Sequence, residues 1–206
     1  MKKYEFTGET KRVELWNRTA TLHRIKATVE FGFVKVGELG GWIEKEENLS
    51  HEGKAWVYDD AKVCGDAKVW GNAKVCGDAK VCGDAEVWGN AKVWGNAEVW
   101  GNAKVWGNAE VCDDAKVWGN AKVCGDAEVF LASHVLVMGS VGSRNDFTTF
   151  FRDKDNEITV KCGCFLGKID KFLEKVTQTH GNNKYALVYR AAVEVAKLQI
   201  ELTERK

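Results

Sequence analysis

The chain has 206 residues, with 30 basic side chains against 30 acidic ones, so no net charge directs it to nucleic acid or to an anionic membrane. No apolar run approaches the length of a bilayer span, and Met1-Lys2-Lys3-Tyr4-Glu5 lacks the apolar stretch of a secretory leader, so a cytoplasmic chain is the expectation. Seven cysteines, an odd number, argue against a disulfide framework and for reduced thiols.

Residues 1–54 are not repetitive and read as a β-rich N-terminal cap. Arg12-Val13-Glu14-Leu15 and the run from Leu22 to Ala27 have the pattern of short strands. Gly37-Glu38-Leu39-Gly40-Gly41-Trp42-Ile43 reads as a glycine-rich turn feeding the next unit. It lacks the Lys-Ser/Thr of a phosphate loop and the spacing of a dinucleotide fingerprint.

From Ala55 to Val129 a six-residue phrase, Ala-x-Val-x-Gly-Asn/Asp, recurs almost without a break, and the unit it builds extends over 55–138. Alternation sends Ala and Val to one side and Lys/Glu with Trp/Cys to the other. Gly and Asn/Asp tolerate left-handed backbone angles and supply the corners. A corner every six residues suits a triangular solenoid, with three phrases to a coil. Thirteen phrases then make a little over four coils. At ~4.8 Å per strand the stack is on the order of 20 Å tall. The pattern resembles the hexapeptide-repeat family. That resemblance implies a mainly β fold, a left-handed parallel β-helix, with Val57, Val63, Val69 and their successors to Val129 as the inward aliphatic residues. The left hand rests on the resemblance, because the general crossover rule favours the right.

Folding the phrase by one coil stacks side chains in columns. Outward columns read Glu52, Trp70, Trp88, Trp106, Cys124; then Cys64, Cys82, Trp100, Trp118; then Tyr58, Cys76, Trp94, Cys112, Phe130. Charged columns alternate in sign at several steps, as in Lys68, Glu86, Lys104 and Lys80, Glu98, Lys116, which favours the register. Lys74 over Lys92 and Glu110 over Glu128 are like-charge exceptions.

Residues 139–206 form a C-terminal α+β element, either capping the last coil or standing apart. Phe147 to Phe151 and Ile158 to Cys164 predict a β-hairpin about Asp153-Lys154-Asp155-Asn156. Ile169, Phe172, Leu173 and Val176 recur at helical spacing, His180-Gly181-Asn182-Asn183 ends that helix and caps the next, and a second helix covers Tyr185 to Leu202 with apolar positions at 188, 192 and 195.

Gly37-Glu38-Leu39-Gly40-Gly41-Trp42-Ile43-Glu44, Asn48-Leu49-Ser50, Ala55-Trp56-Val57-Tyr58 and the run from Cys162 to Phe172 also resemble small uncharacterised hexapeptide-repeat proteins of bacteria, their phages and other mobile elements. Enzymes of the hexapeptide family are generally trimeric acyltransferases with a histidine general base. Under that alternative His134, on an outward position just past the regular coils, is the base, and His51 is a capping residue. The zinc branch of the family needs three clustered histidines, which His23, His51, His134 and His180 do not offer by spacing. Cys162-x-Cys164, with no second pair, reads as packing, and the stacked Asp60, Asp78, Asn96 and Asp114 as corner residues.

The outward tryptophans, Trp70, Trp88, Trp94, Trp100, Trp106 and Trp118, are the unusual surface. They pack on one another, join copies of the chain, receive a target protein, or stack planar ligands such as nucleotides. The reading is a non-enzymatic binding scaffold without cofactor or metal. It is a trimer or dimer, and its partner is a host protein or a small nucleotide. A phage accessory protein that inhibits a host defence system is its pointed form. Membrane is excluded and nucleic acid disfavoured, since Lys and Glu alternate beside the rings.

Overall fold

The computed structural model describes residues 2–15 and 18–202. Strands β1 (Tyr4–Glu14) and β2 (Thr19–Ala27) form an antiparallel hairpin, and β2 pairs with β3 (Leu39–Ile43). β3 then pairs in parallel with Lys62–Val63, so coil pairing begins at Trp42, inside the segment the sequence assigns to the cap. The expected glycine-rich turn is thus a turn at Gly37, where φ is +82°, and strand from Leu39 on. The strand glycines serve close approach: a Cβ on Gly40 would stand 2.6 Å from Ile25 and Trp56 atoms, and one on Gly41 2.6 Å from the Ala61 carbonyl oxygen.

Among the described residues thirteen two-residue strands, β4 to β16, run from Trp56–Val57 to Glu128–Val129. They form three parallel faces in which each residue pairs with the one a coil away, as Lys80 with Glu98 and Val81 with Val99. The result is a β-solenoid of about five coils. Its interior is the Ala and Val of the phrase, from Ala55 to Val129, none more than 2% exposed. Burying each Val contributes roughly 1.5–3 kcal/mol before entropy is counted. Backbone bonds join the coils at every rung, for instance Cys82 N to Val99 O at 2.9 Å.

The corners differ from expectation in one respect. Gly takes the positive φ, while the following Asn and Asp do not; the non-glycine cases within the coils are Asp59 and Asp113, which replace Gly. The Asn side chains stack as an amide ladder instead, Asn72 to Asn90 at 3.0 Å and Asn90 to Asn108 at 3.2 Å. Lys80–Glu98, Lys92–Glu110 and Lys104–Glu86 pair across coils at 2.7 to 3.1 Å. The like-charge exceptions find partners outside the ladder: Lys74 lies over the Phe33 ring, and Glu128 is paired with Arg152 at 3.0 Å.

Cys64 and Cys82 form a disulfide, so the expected reduced thiols are not found at this pair. Their Cα atoms, 4.7 Å apart on adjacent coils, already stand within bonding range. The other five cysteines are not joined in disulfides.

Past the coils, β17 (Val135–Val141), β18 (Asp146–Arg152), β19 (Ile158–Cys162) and β20 (Phe165–Lys168) form an antiparallel sheet, larger than the predicted hairpin. α1 (Ile169–His180) and α2 (Lys184–Gln199) pack on it, and Asn183 caps α2 through Tyr185 and Ala186 amides. β18 closes the top of the solenoid: Phe151 joins the solenoid core, Thr149 Oγ1 accepts the Lys122 amide at 3.0 Å, and Asp153 bridges to Ala127. Among the described residues no helix is long and apolar enough to cross a membrane.

Candidate binding surface

Stacking decides how much of each tryptophan remains outside. Trp70, Trp88 and Trp106 lie in one column, their rings 4.9 Å apart and 3° from parallel. Each is half-buried, and Lys161 of β19 stands 5.9 Å over Trp106, closing the upper end. This column packs on itself. Trp94, on another face between the coils of Cys76 and Cys112, is half-buried too. The large exposed patch that six outward rings imply is therefore not formed.

The third column ends differently. Trp100 and Trp118 stack at 5.6 Å and 14°, and Trp118 is 58% exposed, the one tryptophan among the described residues that is more exposed than half-buried. One coil above Trp118 the column would continue at Leu136, but Leu136 turns away to pack with the C-terminal helices. Lys116–Val117, just before it, is the last strand of its sheet, because the chain makes a 3₁₀ turn over Ala132–His134 where the next strand would stand. Below, the hairpin residues Glu14 and Leu15 meet Cys82, Glu98 and Trp100 around a cleft of about 190 Å³. Trp100 Nε1 is buried there with no acceptor among the described residues. A buried donor without an acceptor is costly.

The same 3₁₀ turn overturns the outward placement of His134. The residue is fully buried, with Nδ1 accepting from the Phe130 amide at 3.4 Å and the ring edge-on to Phe130. Burial, aided by the Arg152 charge, lowers its pKa to about 4. It is neutral at pH 7, yet enclosed, and a general base must reach the acceptor's proton.

The other histidines are also tied into the fold. His51 accepts the Lys3 amide, meets Glu46 at 3.0 Å and stacks on Tyr4, which is a capping position. His23 lies against Phe6. His180 Nε2 is 3.2 Å from Ser143 Oγ, beside a cavity of about 340 Å³ that Arg144, Cys162, Cys164 and Tyr189 also line. Cys162 receives the Thr148 hydroxyl at 3.3 Å. Asp60 is surrounded by donors, Trp42 Nε1 at 2.9 Å with Lys11 and Arg24 farther out, and its carboxyl is held below the usual range chiefly by the Trp42 bond. Among the described residues no cluster of His, Cys, Asp or Glu has a metal-binding arrangement.

Sequence reasoning missed the Trp100 cleft. Its lower wall comes from the β1–β2 hairpin, and no local signal near Trp100 announces that neighbour. No family model matches the chain. A stretch of 67 residues is 31% identical to the uncharacterized acetyltransferase YdcK of Escherichia coli (strain K12), covering 31% of this chain and 21% of that protein. The chain thus spans about a fifth of that relative's length.

Proposed function

We propose that the chain is a non-enzymatic binding scaffold that docks a partner protein on the Trp100–Trp118 end of the solenoid. The observation that carries it is the 58% exposed ring of Trp118, stacked on Trp100 at the rim of the cleft walled by Glu14 and Leu15. Tryptophan anchors of this kind concentrate binding energy, and a solenoid holds them without an ordering cost. Blocking a host defence protein is the specific form we propose for this reading, on the sequence resemblance carried by the Gly37–Glu44 and Cys162–Phe172 stretches. The test is native mass spectrometry of the untagged chain purified from its own cytosol, beside Trp118→Ala. A retained protein that is lost in the variant is the expected result. A partner held equally by both, or a bound nucleotide in its place, overturns protein docking at this surface.

The match to an acetyltransferase favours a second reading, acyl transfer by an oligomer. It would need an acyl donor site on the coils and, for His134 to act, an opened 3₁₀ turn. Saturable acetyl-CoA binding by calorimetry, with turnover lost in His134→Ala, would establish it; no heat at saturating acetyl-CoA removes it.

A further inference from the structure

α2 is apolar on two sides. Its inner side, with Ala186, Tyr189, Ala192, Val193 and Ala196, packs in the C-terminal core. Its outer side carries Leu187, Val188, Val195 and Leu198, all exposed, Leu198 at 89%, with exposed Ala191 among them. At 100° per residue these five fall within about 100° of arc, one stripe roughly 17 Å long. Leu202, just past the helix end, is exposed as well. α1 shows what a solvated face looks like in this chain: Lys171, Glu174, Lys175 and Gln178 are outside. The apolar positions read from sequence, 188, 192 and 195 with flanks at 198–199, mix the two sides of α2, since Ala192 is buried while Val188, Val195 and Leu198 face out.

We propose that this stripe is a homodimer interface, formed by α2 packing antiparallel on α2 of a second copy. A two-fold contact must be self-complementary. A crossing near Ala191–Val195 satisfies this, since it sets Leu187 of each copy against Leu198 of the other, with small Ala191 where the backbones approach. The same register brings Lys184, at the start of one helix, beside Glu201 at the end of the other. Among the described residues the ion pairs of the helices are Lys171–Glu174 and Lys197–Glu194; Lys184 lies over its neighbour Tyr185 and Glu201 is exposed, so both can turn to the partner. Antiparallel helix dipoles add to the attraction. Six residues so exposed on each copy cover on the order of 1,000 Å², the lower limit for a specific interface. This contact is distinct from the Trp100–Trp118 surface and makes the assembly two-fold.

The experiment is sedimentation of the full chain over roughly a hundredfold concentration range, for wild type, Leu187→Glu, Leu198→Lys, the double variant and Trp118→Ala. Far-UV spectra of all five should agree, and so should the unfolding midpoints of wild type and the three α2 variants at concentrations where each is monomeric, since the altered positions are exposed; Trp118→Ala unfolds somewhat earlier for its lost ring stack. The expected result is a dimer that each single α2 change weakens by about tenfold or more, and that the double variant restores because every Glu then faces a Lys. Trp118→Ala leaves the dimer intact, so this outcome is separate from partner docking. A monomer at every concentration, a trimer, a dimer unmoved by the single changes, or a double variant no better than the singles overturns the proposal.

Discussion

Trp88→Ala separates the structural tryptophans from the one that faces out. Trp88 lies between Trp70 and Trp106, parallel to both at 4.9 Å. Each such stack contributes about 0.5–1.5 kcal/mol beyond area burial, so the loss of two costs about 1–3 kcal/mol. The inner faces of Trp70 and Trp106 also become wet, which brings the total to roughly 2–4 kcal/mol. Trp118→Ala removes one stack from a ring that is already 58% exposed, and costs about 0.5–1.5 kcal/mol. Urea unfolding followed by far-UV dichroism reads the difference as a midpoint shift, with the slope checked for constancy. A double-mutant cycle with Trp106→Ala should return a coupling of roughly 0.5–1.5 kcal/mol. If Trp88→Ala costs no more than Trp118→Ala, or the coupling is zero, the ladder does not hold the coils together. All six rings would then have to be reconsidered as recognition surface.

Stability should rise between about pH 4 and pH 6.5 and flatten above. His134 takes its proton at about 4 in the fold but near 6.5 when unfolded, so acid favours the unfolded chain by up to roughly 3 kcal/mol. His134→Leu should remove that part of the acid slope in urea titrations at stepped pH. Alkylation of the denatured, unreduced chain should label five cysteines, and all seven after reduction; seven labels without reductant would show that Cys64 and Cys82 are not joined. Gly119→Ala, at φ +64° with open space around it, should cost about 1–2 kcal/mol for the backbone angle alone. Gly101→Ala places its Cβ 3.1 Å from the Gly119 amide nitrogen and should cost about 1 kcal/mol more. Equal midpoint shifts for the two would mean that coil stacking is looser than this geometry.

The regular coils were legible because each phrase states its own geometry. Val and Ala alternate with charged residues, Gly marks the corner, and the spacing of one coil sets every column, so the Lys80–Glu98 rung and the Trp ladder follow from counting. The hairpin strands and the Asn183 cap were legible for the same reason, in local pattern and turn chemistry. Illegible features depend on residues far away in sequence. The first coil, entered through Gly40-Gly41-Trp42, lacks the phrase, and its glycines make sense only once Ile25 and Trp56 are seen against Gly40 and Ala61 against Gly41. His134 keeps the spacing of an outward residue, but it turns in under Phe130, and Arg152, from the C-terminal sheet, bears on its charge. Alternation gives direction, not exposure, which is why five outward tryptophans are half-buried.

A periodic solenoid satisfies its own surfaces wherever the period holds. Each coil offers the next a backbone edge, a Val layer, a ring and a charge, and receives the same in return. Unsatisfied chemistry is therefore displaced to the places where the period stops. At the top of one column it leaves the face of Trp118, because Leu136 was drawn to the helices. The helices that drew it carry the other unsatisfied surface, the Leu187–Leu198 stripe. Both candidate interfaces thus trace to one event, the departure of the chain from the phrase after Val129: the first sits at the edge where the repeated surface ends, and the second lies off it altogether. Near-identical middle coils set the distance between the hairpin that walls the Trp100 cleft and the C-terminal sheet, and that spacing is a role which tolerates recent duplication.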